Sequence, residues 1–91
     1  MATVLVTGAS RGLGLEFCRQ YSAAGWRVYA CCRDPDGAEL LRPVAEASGG
    51  SVTLHSMDVD DIDQVNAVAK ELEGVPIDVL INNAGKADAY G

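Results

Sequence analysis

Three glycines in the octet TGASRGLG, residues 7–14, have a spacing that suits a ligand-binding turn. Gly8, Gly12 and Gly14 follow the apolar run ATVLVT and precede a stretch with helical periodicity. A turn from a buried parallel strand into a helix presents unpaired backbone N–H groups and the positive end of the helix dipole, and both attract anions. Gly8 would permit the tight turn, Gly12 a close approach of a pyrophosphate, and Gly14 close packing of helix on strand.

The spacing of these glycines is G-x-x-x-G-x-G, which differs from the G-x-G-x-x-G pattern of many dinucleotide-binding turns. It also lacks the Gly-Lys-Ser/Thr ending of a P-loop, which argues against a site that hydrolyses nucleoside triphosphates. Taken alone, the octet also fits a glycine-rich turn that binds no ligand.

The strands and helices on either side of this turn can be predicted from hydrophobic periodicity. Apolar runs predict strands over 2–7, 26–32, 51–59 and 77–85. Helical spacing predicts helices over 12–24 and 37–47, with Pro43 kinking or shortening the second, and a third helix capped by Asp60 and closed by Gly74. The order βαβαβαβ with short connections predicts an α/β fold with a doubly wound parallel sheet.

Composition narrows the classes of protein further. The 91 residues make one domain at most, and a net charge of −6 disfavours nucleic acid as a partner. No apolar run approaches the ~18 residues of a membrane span, and no signal-type segment opens the sequence, so we expect a cytoplasmic protein. Cys18, Cys31 and Cys32 lack metal or redox spacing and are predicted to be reduced core residues, and His55 a structural residue.

Three parts of the sequence together resemble the short-chain dehydrogenase/reductase family. TGASRGLG is similar to the family's T-G-x-x-x-G-x-G cofactor turn, and NNAG, residues 82–85, to its second signature at the end of the fourth strand. Asp58-Val59 closes the third strand, where the family contacts adenine. Two motifs in the right order, with the right elements between them, are far more specific than either alone.

The resemblance implies a Rossmann-like half domain over 1–91 and a dinucleotide site at its strand ends. The Asp58 carboxylate would accept from the adenine amino group, and the Val59 N–H would meet a ring nitrogen. The Thr7 hydroxyl would tie the first strand to an asparagine of NNAG. The small residues of NNAG would leave room for the ribose and nicotinamide along the edge of the sheet. The implied cofactor-binding residues are Gly8, Ser10, Arg11, Gly12, Leu13, Gly14, Arg33, Asp58, Val59, Asn83, Ala84 and Gly85.

Residues near the end of the second strand bear on the choice between NAD and NADP. An acidic residue there would hold the ribose hydroxyls of NAD, whereas arginine accommodates the 2′-phosphate of NADP. Asp34 lies 20 residues beyond Gly14, but it falls in the turn before Pro35, and Cys32 occupies the expected strand end. Arg33 and Arg11 could converge on one phosphate, so NADP(H) is the predicted cofactor.

The catalytic elements implied by the resemblance do not occur in this sequence. Members normally use a Tyr-x-x-x-Lys pair and a serine on a later strand, whereas Tyr21 and Tyr29 are followed four residues on by Gly25 and Arg33, and only Gly91 follows Tyr90. The expectation is therefore the NADP(H)-binding half of a carbonyl or alcohol oxidoreductase, with catalysis outside these residues. A non-catalytic NADPH sensor or an assembly subunit with a vestigial site are the alternatives.

The predicted topology would also leave apolar surface uncovered. In a sheet ordered 3-2-1-4, the first two helices cover one face and the third covers part of the other. A fourth strand carrying Val79, Leu80 and Ile81 would be an open apolar edge. The chain is therefore expected to form a homodimer across that edge or to be a fragment of a longer chain.

Overall fold

A computed structural model describes residues 2–58 and 61–83. They form a four-stranded sheet in the order β3-β2-β1-β4, in which every neighbouring pair is parallel, as predicted. The elements are β1 (Thr3–Val6), α1 (Gly12–Ala23), β2 (Arg27–Cys32), α2 (Leu41–Ala47), β3 (Val52–Ser56), α3 (Ile62–Glu71) and β4 (Val79–Ile81), with one 3-10 turn at Pro35–Gly37.

The two faces of the sheet carry separate apolar clusters because successive strand residues point to opposite sides. Val4 and Val6 lie in the larger cluster, which also contains Cys18 of α1 and Leu41 of α2. Leu5 packs in the smaller cluster against α3. Thus α1 and α2 cover one face and α3 covers part of the other, which is the predicted arrangement.

The second helix is shorter than its apolar pattern suggests. It begins at Leu41, so Pro43 is its third residue. The first four N–H groups of a helix have no intrahelical partner, so proline loses no helical hydrogen bond at this position. The prediction that Pro43 would shorten the helix is confirmed, and the 3-10 turn takes up part of the region predicted to be helical.

The third helix is capped by Asp61, so the predicted cap at Asp60 is wrong by one residue. The Asp61 side chain accepts hydrogen bonds from the backbone N–H groups of Asp63 and Gln64, at 3.0 and 3.4 Å. The aspartate that caps the helix is the next one along the chain, and both residues have the same type of capping side chain. Gly74 follows the helix with φ of 86°, consistent with the predicted stop.

The sheet edge at β4 exposes apolar surface. Leu80 is 65% exposed, and an apolar groove of about 480 Å³ runs between β4, β1 and α3. The described strand is three residues long, against the nine predicted for the segment.

Among residues 2–58 and 61–83, no helix is both long and apolar enough to cross a membrane.

His55 lies on β3 with both ring nitrogens in polar contact. Its Nε2 is 2.9 Å from the Thr53 hydroxyl, and its Nδ1 is 2.9 Å from a carboxylate oxygen of Glu71 on α3. The contacts join β3 to α3, which supports the structural role expected for this histidine. The three cysteines are buried and form no disulfide.

Candidate functional site

The glycine turn after β1 is held in shape by left-handed backbone and by a bond to the next strand. Gly8 and Gly12 have φ of 62° and 61°, a region that residues with a Cβ rarely adopt. Between them, Ala9 is fully buried and its N–H donates to the carbonyl of Cys31 at 3.0 Å. The turn is therefore anchored to β2 as well as to β1.

The second and third glycines of the turn have different surroundings. A Cβ on Gly14 would overlap the carbonyl oxygen of Gly8 and lie 2.9 Å from Nδ2 of Asn83, so the helix can pack this closely only with glycine. At Gly12, no atom of the described residues lies within 4 Å of the position a Cβ would take. Open space beside Gly12 lets a ligand approach the backbone, which fits the role predicted from the spacing.

The N-terminus of α1 carries neither a capping side chain nor a negative charge. Arg11 occupies the N-cap position without making a side-chain capping bond, and the first turn contains no acidic residue. The start of α3, in contrast, is capped by Asp61 and has Asp63 in its first turn. Within the part of the chain that the structure describes, the start of α1 thus has no cap bond from its N-cap side chain, and its helix dipole favours an anion there.

The end of β4 is tied to the glycine turn through Thr7, which is 4% exposed. The Thr7 hydroxyl accepts from the backbone N–H of Asn83 at 2.9 Å and donates to Oδ1 of Asn82 at 3.0 Å. The side-chain amide of Asn83 donates to the Gly8 carbonyl at 3.3 Å. The implied link between Thr7 and an asparagine of NNAG is therefore present, and it involves both asparagines.

Arg11 and Arg33 lie at the carboxyl ends of neighbouring strands. Arg11 follows β1 and Arg33 follows β2, and both residues are exposed. Cys32, at the end of β2, is only 4% exposed and packs in the larger apolar cluster. The side chain expected to select the cofactor's ribose is therefore a buried thiol with an exposed guanidinium next to it.

Asp58 lies two residues after the end of β3 and is half-buried. Ser10 is half-buried in the glycine turn, and Leu13, in the first turn of α1, is 67% exposed. The remaining residues implied at the site, Val59, Ala84 and Gly85, lie outside the described residues.

Sequence reasoning missed Gln64, whose side chain contacts the backbone of Asp58. Its Oε1 accepts from the Asp58 N–H at 3.0 Å. The signal was available, because an Asp followed three residues later by Gln at the start of an apolar-periodic stretch is a form of the capping box.

Comparison with known proteins agrees with this arrangement. The short chain dehydrogenase family model matches residues 2–90. The (+)-neomenthol dehydrogenase of Arabidopsis thaliana is 37% identical over 87 residues, which cover 89% of this chain and 29% of that protein. Human retinol dehydrogenase 11 is 37% identical over 86 residues, which cover 90% of this chain and 27% of that protein.

Solved structures give the same result. A carbonyl reductase from Pseudomonas aeruginosa PAO1, crystallised in complex with NADP, superposes with a TM-score of 0.88 at 35% identity, over 93% of this chain and 39% of that one. The chain spans less than two fifths of the length of these relatives. The family match covers nearly the whole sequence, and the fold and glycine turn agree with it, so this chain belongs to the short-chain dehydrogenase/reductase family.

Proposed function

We propose that this chain is the NADP(H)-binding part of an oxidoreductase that transfers a hydride between the nicotinamide and a carbonyl or alcohol. The observation that carries the proposal is the uncapped start of α1, reached through a turn with two left-handed glycines. The NADP-bound carbonyl reductase with the same fold supports the choice of cofactor.

The pyrophosphate of the cofactor would bind at the start of α1. The first N–H groups of a helix have no intrahelical partner, and no Cβ at Gly12 obstructs an approach to them. Ser10 and Leu13 flank the same turn, and we assign them to contacts with the cofactor. Gly14 serves the site indirectly, because it sets the distance between α1 and the end of β1.

The 2′-phosphate would be held by the guanidinium groups of Arg11 and Arg33. Guanidinium pairs well with phosphate because its planar set of donors can form two parallel hydrogen bonds. Cys32 supports the preference for NADP(H), since its buried thiol offers no carboxylate to bind two ribose hydroxyls.

The adenine and the nicotinamide would lie at opposite ends of the site. Asp58, with Val59, is assigned to the adenine, and Asn83, with Ala84 and Gly85, to the nicotinamide side. The latter assignment is supported by the bonds of Asn83 to Thr7 and Gly8, which place the end of β4 beside the glycine turn. When bound, the nicotinamide supplies the hydride chemistry, and the residues of this chain hold and orient the cofactor.

The experiment that tests the proposal is a calorimetric titration of the 91-residue chain with NADPH and, separately, with NADH. We expect binding of NADPH at least about tenfold tighter than that of NADH, because charge-assisted bonds to a phosphate contribute about 1.5–3 kcal/mol. 2′,5′-ADP should compete with NADPH. Absence of NADPH binding by a folded chain would refute the proposal.

Two further expectations stay predictions. The apolar groove beside β4 supports burial of this surface against protein, either in a homodimer or against the rest of a longer chain. Sedimentation at micromolar concentration would show a dimer in the first case, and a stable monomer would rule the dimer out. A cytoplasmic location can be tested by fractionation of cells that produce the protein.

A further inference from the structure

The amide of Gln64 lies between two aspartates and uses both of its ends. Its Oε1 accepts from the backbone N–H of Asp58 at 3.0 Å, and its Nε2 donates to Oδ2 of Asp61 at 3.2 Å. Both Gln64 and Asp58 are half-buried, so competition from water at these bonds is reduced.

The backbone of Asp58 is bonded to the start of α3. The residue before it, Met57, bonds to the neighbouring strand, since its N–H donates to the carbonyl of Cys32 at 2.8 Å. The Asp58 N–H donates to Gln64, and the Asp58 carbonyl accepts from the Asp61 N–H at 2.9 Å. These two bonds fix the Asp58 backbone relative to the start of α3.

The need for glutamine at residue 64 follows from the chemistry of its two partners, Asp58 and Asp61. A backbone N–H needs an acceptor and a carboxylate needs a donor, and a side-chain amide offers one of each. Glutamate at residue 64 would keep the acceptor but place a second carboxylate against Asp61. Alanine would remove both bonds. Gln64 is the third residue of α3, a position from which a long side chain can reach back before the helix start.

We propose that Gln64 is a positioning residue for the adenine subsite, acting through Asp58. The inference rests on the proposed function, in which the Asp58 carboxylate accepts from the adenine amino group. By holding the Asp58 backbone, Gln64 orients that carboxylate before the cofactor arrives. Gln64 thereby couples the start of α3 to selection of the base.

The inference makes a prediction that separates positioning from general stabilisation. Hypoxanthine carries an oxygen where adenine carries the amino group, so it offers Asp58 no donor at that position. Loss of Gln64 should weaken the binding of NADPH. It should have little effect on the binding of an analogue of NADPH in which hypoxanthine replaces adenine. The ratio of the two affinities therefore reports on the orientation of Asp58, whereas a loss of stability alone would weaken both ligands equally.

The experiment measures the Kd of both dinucleotides for the 91-residue chain and its variants. We expect Gln64→Ala to lower the adenine-to-hypoxanthine preference by about fivefold, in line with the loss of one or two hydrogen bonds at a half-buried site. Gln64→Leu, which has a similar size but neither an acceptor nor a donor, should lower it as well. Asn66→Ala is the control, because Asn66 is an exposed amide on the same helix. It should leave the preference unchanged.

A double-mutant cycle tests whether the effect of Gln64 on the adenine preference depends on Asp58. In the Asp58→Ala background, Gln64→Ala should cause no further loss of the preference, because the group it positions is absent. The inference is overturned if Gln64→Ala and Gln64→Leu bind NADPH with the wild-type preference, or if they weaken both ligands by the same factor. If Gln64→Ala does not fold, Gln64→Leu decides the question. Failure of the wild-type chain to bind NADPH would instead refute the proposed function itself.

Discussion

The hydroxyl of Thr7 accepts a hydrogen bond from the backbone N–H of Asn83 at 2.9 Å, across 76 residues of sequence. This bond connects the ends of the neighbouring strands β1 and β4, at the edge where the cofactor is proposed to bind. Because Thr7 is buried, the bond has few competitors from solvent.

Replacement of Thr7 by valine should destabilise the chain by about 1–3 kcal/mol, because it leaves the Asn83 N–H without its acceptor at nearly constant volume. Thr7→Ser keeps the hydroxyl and is the matched control, with a smaller loss that reflects one methyl group. Urea denaturation measures both. Equal stability of the valine variant and the wild type would show that the bond contributes nothing.

Replacement of Gly14 by alanine should abolish NADPH binding as well as lower stability. The new Cβ would overlap the Gly8 carbonyl oxygen and push against Asn83, at a cost of about 1–3 kcal/mol. Gly49→Ala is the control, since Gly49 has φ of 70° and open space around it among the described residues. It should lose a similar amount, about 1–2 kcal/mol, yet bind NADPH normally. Retained binding in Gly14→Ala would contradict the packing argument.

Replacement of Arg33 by aspartate should shift the preference from NADPH towards NADH. The substitution removes a cation from the proposed 2′-phosphate site and adds a carboxylate that repels phosphate and can accept from ribose hydroxyls. A change of about tenfold or more in the ratio of the two dissociation constants is expected. Arg27→Asp, at the opposite end of β2, is the charge-matched control. An unchanged ratio in Arg33→Asp would remove Arg33 from the site.

The stability of the chain should fall as the pH rises above about 9. Burial raises the pKa of Cys18 and of Cys31 to about 12, from an ordinary value of 9.0. Between these values the folded chain keeps thiol protons that the unfolded chain releases, so rising pH favours unfolding, by at most about 1.4 kcal/mol per pH unit for each thiol. Urea denaturation at about pH 8, 9.5 and 10.5 measures how steeply the free energy of unfolding falls with pH.

Cys31→Ala supplies the control for this pH dependence. The substitution changes packing at every pH. The stability of the variant should nevertheless decline less steeply with pH than that of the wild type, because one buried thiol is gone. Equal slopes in the two proteins would mean that Cys31 does not contribute. The other ionisable side chains are common to both proteins.

Much of the fold could be predicted because its signals are local. The apolar run before Gly8 and the helical spacing after it each specify an element, and short connections then require parallel strands. Boundaries were less certain, as Asp61 shows, since the helix start depends on which of two adjacent carboxylates meets the free N–H groups. The start of α2 depended on where Pro43 could be accommodated, which the pattern alone did not fix.

The site could be predicted only as far as its motifs extend. The glycine spacing indicated the turn, but the bond from Ala9 to Cys31 joins a loop to a neighbouring strand, and pairing register is needed to find it. Gln64 was missed for a related reason. Its capping pattern was visible, whereas its reach to Asp58 depends on how the chain returns from β3 to α3.

The anchoring of Ala9 has a consequence for the kinetics of cofactor capture. A loop that must fold around its ligand spends part of the interaction energy on its own ordering. Here the left-handed glycines and the bond to Cys31 set the shape of the turn in advance. Association should therefore be governed by diffusional encounter and electrostatic attraction, with differences among variants expressed mainly in how long the dinucleotide stays bound.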